Sequence, residues 1–416
     1  MDRIVVACDD EHGFIPGHLG EQIEKCRQFL RAPAMGGIAG EGDGIDIRGQ
    51  LCDARKKFAR FTTPQRLHMK LRHRCRCKPQ MKIGELKQLH SGWPEMYHGC
   101  AWMCIGVHLW LLFCFLMLRR NVLIFQTGGL GDFVLTWPFA VALGRIYSQS
   151  RIIYVTHHQK GDLAKRVLRL EATDIEMGWH GLFAEEGKLP PAAMTFLESA
   201  HAIYSFLPVD AIWHQNIERI NPQAKRVEID AKINADYSGH LTNKILDSLQ
   251  NYPPEKAATE QILRSISDRG IGFKPQGGTD VVMHPGSGSP TKCWPLESYV
   301  ELAGQFQASG RSVRFVIGEV EREKWPQADI EKLKSVGSVR SCVSYLDLLN
   351  EISTAGYFIG NDSGPAHLAG IIGVETTVLF GPTNPNQWKP LGPRVAVISG
   401  SAMQEIQVDR VIKGLK

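Results

Sequence analysis

From residue 117 to the end of the chain, short apolar runs alternate with amphipathic helical stretches, and this alternation restricts the fold more than any other feature. The apolar runs are VLIF (122–125), RIIYVTH (151–157), AIYSF (202–206) and KRVEID (225–230). Between and after them come helical stretches at 133–148, 162–170 and 240–249, the last leading into 251–270. A short apolar run suits a strand covered on both faces, and strands alternating with helices build a parallel, doubly wound sheet. Residues 270–280 (GIGFKPQGGTD) then supply Gly and Pro without periodicity, as a linker does. The pattern restarts with VVMH (281–284), a helix over 296–308, VRFVIG (313–318), and helices over 325–335 and 345–354. YFIGN (357–361), a helix over 364–372 and TTVLFG (376–381), read as the last strand, complete it. The expectation is an α/β protein of two Rossmann-like domains, 117–275 and 276–416, with a ligand cleft between them.

The first 116 residues read differently. They hold eight of the ten cysteines, and 17 Lys and Arg against 12 Asp and Glu; the rest of the chain is balanced at 31 of each. The positive excess that would signal nucleic acid therefore lies in this segment alone, and its basic run 66–78 has no recognisable binding module around it. A zinc site at His68, His73, Cys75 and Cys77 fails on spacing, so no metal is expected. Cys293 and Cys342, isolated in the remaining 300 residues, indicate a reducing compartment and no disulfide framework. Residues 99–118 form an apolar stretch long enough to span a membrane, followed by Arg119 and Arg120. A strand begins at Asn121, however, which leaves almost no linker between a span and a sheet. Met117-Leu-Arg-Arg followed at once by a strand is how a cytosolic α/β protein commonly starts. Residues 1–116 are thus expected to be an extension, poorly ordered or not translated with the folded body, in preference to a membrane anchor.

Four loops follow the expected strands, the place where open α/β sheets bind ligands. Thr127-Gly128-Gly129-Leu130-Gly131-Asp132 combines glycines for a tight turn with a carboxylate in the first helical turn. Its spacing is not that of a dinucleotide fingerprint, and the second strand ends in Thr156-His157-His158 with no acid for a ribose, so nicotinamide binding is disfavoured. The second loop runs from His284 to Trp294. Gly286, Ser287, Gly288 and Ser289 free backbone N–H groups and add hydroxyl donors, and Lys292 adds charge, a composition suited to a phosphate or diphosphate. Gly318-Glu319 offers a carboxylate that can accept ribose hydroxyls or simply cap a helix. In Gly360-Asn361-Asp362-Ser363-Gly364-Pro365-Ala366-His367, Asp362 and Ser363 are good N-caps and Pro365 suits a first turn. His367, one turn after Ser363, can look into the same site. Phe380 to Pro385 forms a rigid turn.

Taken together, GGLGD, HPGSGSPTKCWP, GNDSGPAHLA and LFGPTNP resemble glycosyltransferase family 9, the ADP-heptose:lipopolysaccharide heptosyltransferases, over residues 119–416. The resemblance implies a GT-B fold and inverting transfer of a sugar from a nucleotide-sugar, with neither metal nor cofactor. It assigns Asp132 as the catalytic base and Lys292 to the donor diphosphate, with His284, Gly286, Ser287 and Ser289 in the same loop. It places Glu319 near the donor ribose, and Asp362, Ser363, Gly364 and His367 at the donor sugar and phosphate. The partners it implies are an ADP-linked sugar and a glycolipid or glycan acceptor, with no nucleic acid, in the cytoplasm and in peripheral contact with the inner membrane face. The first domain departs from the pattern in lacking an obvious basic cluster for an acidic lipid-linked acceptor. The competing reading is a non-catalytic nucleotide-sugar-binding or membrane-anchored scaffold protein.

Overall fold

The computed structural model describes residues 120–415 apart from Ala235. The expected extension 1–116 and the apolar stretch 99–118 lie outside these residues. Among the described residues no helix is long and apolar enough to cross a membrane.

The first lobe runs β1 (Asn121–Phe125), α1 (Leu130–Leu135), α2 (Trp137–Ile146), β2 (Arg151–Thr156), α3 (His158–Leu163), β3 (Glu171–Asp174) and α4 (Pro191–Glu198). It continues with β4 (Ala200–Ser205), α5 (Ala211–Ile220), β5 (Lys225–Glu228), α6 (Leu241–Ser248) and α7 (Pro253–Arg269). The second lobe runs β6 (Val281–His284), α8 (Leu296–Ala308), β7 (Val313–Ile317), α9 (Glu319–Lys324), α10 (Gln327–Ser335) and β8 (Ser338–Ser341). After these come α11 (Tyr345–Ser353), β9 (Tyr357–Asn361), α12 (Gly364–Ile371), β10 (Thr376–Phe380), α13 (Pro385–Trp388), β11 (Val395–Ser399) and α14 (Val408–Gly414).

Both sheets are parallel throughout, ordered β3-β2-β1-β4-β5 and β11-β10-β9-β6-β7-β8. In each, the strand order reverses beside the lobe's first strand, so the β1–α1 loop and the β6–α8 loop open at topological switch points. Central strands are apolar because helices cover both faces: every residue of β1 and β10 is buried. A continuous hydrophobic core takes residues from both lobes, including Phe133 and Val134 of the first and Ala366 and Leu368 of the second.

The structure departs from the sequence reading in several places. The stretch expected as one helix over 133–148 is two, broken after Thr136, whose hydroxyl donates to the Phe133 carbonyl at 2.7 Å. Pro138, lacking an N–H, fits only the first turn of the second helix. Strands β3, β8 and β11 were not expected, so TTVLFG is not the last strand and the turn from Phe380 leads on toward β11. All three lie at sheet edges and carry half-exposed or exposed residues, which removes the apolar run by which a strand is recognised. Helices α4, α5, α9, α13 and α14 fill stretches to which no helix was assigned.

Candidate active site in the cleft between the lobes

A cleft of about 910 Å³ opens between the two sheets at their carboxyl ends, lined by Asp132 and Lys160 from one side and Lys292, Glu321, Asp362 and His367 from the other. His284, Ser287, Ser289, Glu319, Ser363 and Gly364 also line it, whereas Gly286 does not. One volume therefore gathers every residue to which the resemblance gave a role except that glycine.

On the first wall, Asp132 is the third residue of α1, and its Oδ2 accepts the Gly129 N–H at 3.1 Å. This bond closes the start of the helix and directs the carboxylate back over the glycine loop. Beneath the loop, Lys160 of α3 is 5% exposed, and its Nζ donates to the Thr127 carbonyl at 2.8 Å and the Gly128 carbonyl at 2.5 Å. Burial pulls the Lys160 ammonium down to about 8, an effect that nearby Asp132 opposes. The sequence reading missed Lys160, since nothing in HHQKGD shows that the lysine turns under a loop thirty residues upstream.

On the opposite wall, Lys292 sits in a single 3-10 turn (Pro290–Lys292), its Nζ 2.8 Å from Asp362 Oδ2. The same Asp362 oxygen accepts the Thr383 hydroxyl at 2.8 Å, and Oδ1 lies 3.8 Å from His367 Nε2. Burial opposes ionisation of Asp362, but His367 and Lys292 outweigh it and hold the carboxyl below its ordinary value. Asp362 was expected as an N-cap; its carboxylate instead anchors Lys292. Ser363 is the N-cap residue of α12, yet its hydroxyl bonds the Asn361 carbonyl at 3.3 Å and no side chain caps the helix. The start of α12, with its partial positive charge, thus faces the cleft uncapped.

Two further residues escaped the sequence reading. Glu319, expected near a ribose, is exposed on the cleft rim, whereas Glu321, two residues on, is 5% exposed and accepts the Gly318 N–H at 2.8 Å. The Glu321 carboxylate occupies the space beside Gly286 that any β-carbon there would need. Behind it His284 is buried; burial pushes its imidazole below the ordinary value, and Glu321 opposes the shift. Asn361, fully buried, ties the second loop to the fourth. Its Nδ2 donates to the carbonyls of Pro285 at 2.8 Å and Gly286 at 3.1 Å, while Oδ1 accepts from the Trp294 N–H at 3.1 Å and the Tyr299 hydroxyl at 3.0 Å. Glu321 stands three residues after the helix-start Gly318, where a carboxylate can reach back to the N-cap N–H, although glycine supplies no side chain to complete a capping box; no local signal exists for Asn361.

The lobes meet around the cleft through Gly131 against the His367 ring, Gly364 against Leu130, and the Tyr345 N–H donating to Gln159 Oε1 at 3.2 Å. Cationic and amide donors on one wall and a carboxylate on the other can bind an anion and remove a proton in the same enclosed volume.

Residues 224–413 match the family model described as Glycosyltransferase family 9 (heptosyltransferase). The chain is 23% identical over 186 residues to Lipopolysaccharide heptosyltransferase 3 of Escherichia coli, a match covering 43% of this chain and 52% of that protein. It is 30% identical over 112 residues to Lipooligosaccharide heptosyltransferase 2 of Campylobacter jejuni, covering 26% of this chain and 35% of that protein. The matched region spans about half the length of the first of these relatives and about a third of the second. Among solved structures, E. coli heptosyltransferase WaaC with ADP aligns with a TM-score of 0.51 and 16% identity, covering 71% of this chain and 99% of that one. E. coli ADP-heptose lps heptosyltransferase II aligns with a TM-score of 0.53 and 16% identity, covering 71% and 97%. The fold is therefore that of the GT-B glycosyltransferases, two parallel-sheet lobes with a central cleft.

Proposed function

We propose that this chain, whose residues 224–413 match the family model of glycosyltransferase family 9, transfers heptose from ADP-heptose to a hydroxyl of a lipopolysaccharide or related cell-surface glycan, with inversion and without a metal. The observation that carries this reading is the division of labour across the cleft: Asp132 on one wall, Lys292 and the uncapped start of α12 on the other.

The acceptor lies against the 117–275 domain and the donor in the 276–416 domain. As the acceptor oxygen attacks the anomeric carbon, Asp132 takes its proton, and a new C–O bond forms on the face opposite the breaking one. The electron pair of the broken bond leaves with the nucleoside diphosphate. Lys292 and the α12 amides neutralise that growing charge, the role a divalent cation plays in metal-dependent transferases. Lys292 is held beforehand by Asp362, so its ammonium is oriented before the donor arrives. A lipid-linked acceptor would bring the protein to the inner face of the cytoplasmic membrane.

The test is transfer of heptose from ADP-heptose to heptose-deficient lipopolysaccharide by the purified full-length chain, with and without EDTA. Turnover that survives EDTA and yields an inverted linkage supports the reading. Binding of ADP-heptose with neither transfer nor hydrolysis would favour a non-catalytic binding protein, and loss of turnover in EDTA would remove metal independence. Asp132→Asn should lower kcat by about 10²–10⁴-fold, the usual contribution of a general base, while ADP still binds.

A further inference from the structure

Among the described residues, Lys160 is the one Lys or Arg that is buried, and the displacement outlined above gives it no task. A buried ammonium is costly unless its protons are matched, and two of them are, by the carbonyls of Thr127 and Gly128. The second carbonyl is the informative one. It belongs to the same peptide unit as the Gly129 N–H, and that N–H binds Asp132 Oδ2. A cation therefore sits on the oxygen end of the Gly128–Gly129 peptide and the carboxylate on its hydrogen end. Each bond polarises the amide in the sense that strengthens the other. The arrangement fixes the loop from below and the carboxylate from above through a single rigid, planar group.

The residues around this linkage fit a positioning role. Lys160 emerges from α3 directly after the carboxyl end of β2, which brings its ammonium beneath the β1–α1 loop. A β-carbon on Gly128 would stand 2.9 Å from Gln126 Nε2 and 3.1 Å from Asp132 Cβ, so position 128 accepts no side chain and its backbone runs close against Asp132. With burial bringing it only to about 8, the side chain remains largely an ammonium at neutral pH.

We infer that Lys160 is a positioning residue for transfer, aligning the Asp132 carboxylate through the Gly128–Gly129 peptide. The inference rests on the proposed role of Asp132 as base, and it adds that the base is held by a lysine from the neighbouring βα unit. In this role Lys160 acts through the peptide and not on the reacting atoms.

Lys160→Met keeps the length and loses the donors. In this variant kcat is expected to fall about 10–100-fold, as happens when a catalytic group is misplaced, with KM for the donor within about twofold of wild type. Lys160→Ala should regain activity on addition of ethylammonium or propylammonium ions but not of the matching alcohols. Independently of turnover, the Gly129 amide should exchange with deuterium about tenfold faster in Lys160→Met, because the bond polarised by the cation is weakened. Unchanged kcat together with unchanged Gly129 exchange would overturn the inference. So would a parallel loss of kcat and donor affinity with no amine rescue, which is what a purely structural lysine would give. If wild type transfers no sugar, the function reading fails while the exchange comparison still decides whether Lys160 holds Asp132.

Discussion

Gly131 and the imidazole of His367 meet across the cleft so closely that a β-carbon on Gly131 would stand 3.0 Å from His367 Cδ2. The reciprocal contact is tighter, a β-carbon on Gly364 falling 2.6 Å from Leu130 Cβ. Each glycine adjoins a cleft-lining residue, Gly131 beside Asp132 and Gly364 beside Ser363. Side chains at either position would hold the two walls apart.

Gly364→Ala is therefore expected to cost about 1–3 kcal/mol, the usual range for overpacking, and to loosen nucleotide binding. Gly131→Ala should be milder, since the His367 ring can yield by a few tenths of an ångström. Chemical denaturation and small-angle scattering test this, and a Gly364→Ala protein with wild-type stability and radius of gyration would contradict it.

The Lys292–Asp362 pair makes a second prediction. Lys292→Ala removes a charge-assisted partner for a diphosphate and should weaken ADP binding about 10–100-fold, as expected for a bond of about 1.5–3 kcal/mol. Asp362→Asn leaves the lysine but not its anchor, so its effect should depend on whether Lys292 is present. A double-mutant cycle by calorimetry measures that coupling; strict additivity would show that the two act separately.

Glu319 and Glu321 should behave in opposite ways despite their proximity. Glu321→Gln disturbs a buried carboxylate that accepts the Gly318 N–H, and is expected to destabilise the fold by about 1–3 kcal/mol. Glu319→Gln, on the exposed rim, should change stability by under about 0.5 kcal/mol and register in donor affinity instead. Thermal melts with nucleotide titrations separate the two, and a stable Glu321→Gln variant would show that this carboxylate is not structural.

The buried His284 carries a pH dependence of stability. Its imidazole is kept below the ordinary value of 6.5, so it stays neutral in the fold while the unfolded chain takes up a proton. Stability present above about pH 6.5 should accordingly fall as the pH drops below it. His284→Gln, which cannot titrate, should melt with a flatter profile between pH 7 and 5. Equal slopes for the two proteins would place the acid sensitivity elsewhere.

Much of this architecture is legible in the sequence, for a definite reason. Strands β1, β2, β4, β6, β7, β9 and β10 have neighbours on both sides and helices over their faces, so they must be apolar, and the glycine loops after them stand out against that background. Asp132, Lys292 and the Asp362–His367 helix start could be named because each belongs to a local motif whose chemistry is set by adjacent residues. Edge strands β3, β8 and β11 escaped because partial exposure relaxes the demand for apolar residues.

What the sequence could not contain is which polar side chains become one another's partners. Lys160 reaches carbonyls 32 and 33 residues away, Lys292 reaches Asp362 across 70, and Asn361 grips carbonyls 75 and 76 residues off. Local pattern determines where a backbone turns and which face is buried, since those follow from periodicity and from the conformational range of Gly and Pro. Only the packed tertiary structure decides which buried charge meets which acceptor, because burial makes such bonds obligatory without dictating the partner in advance.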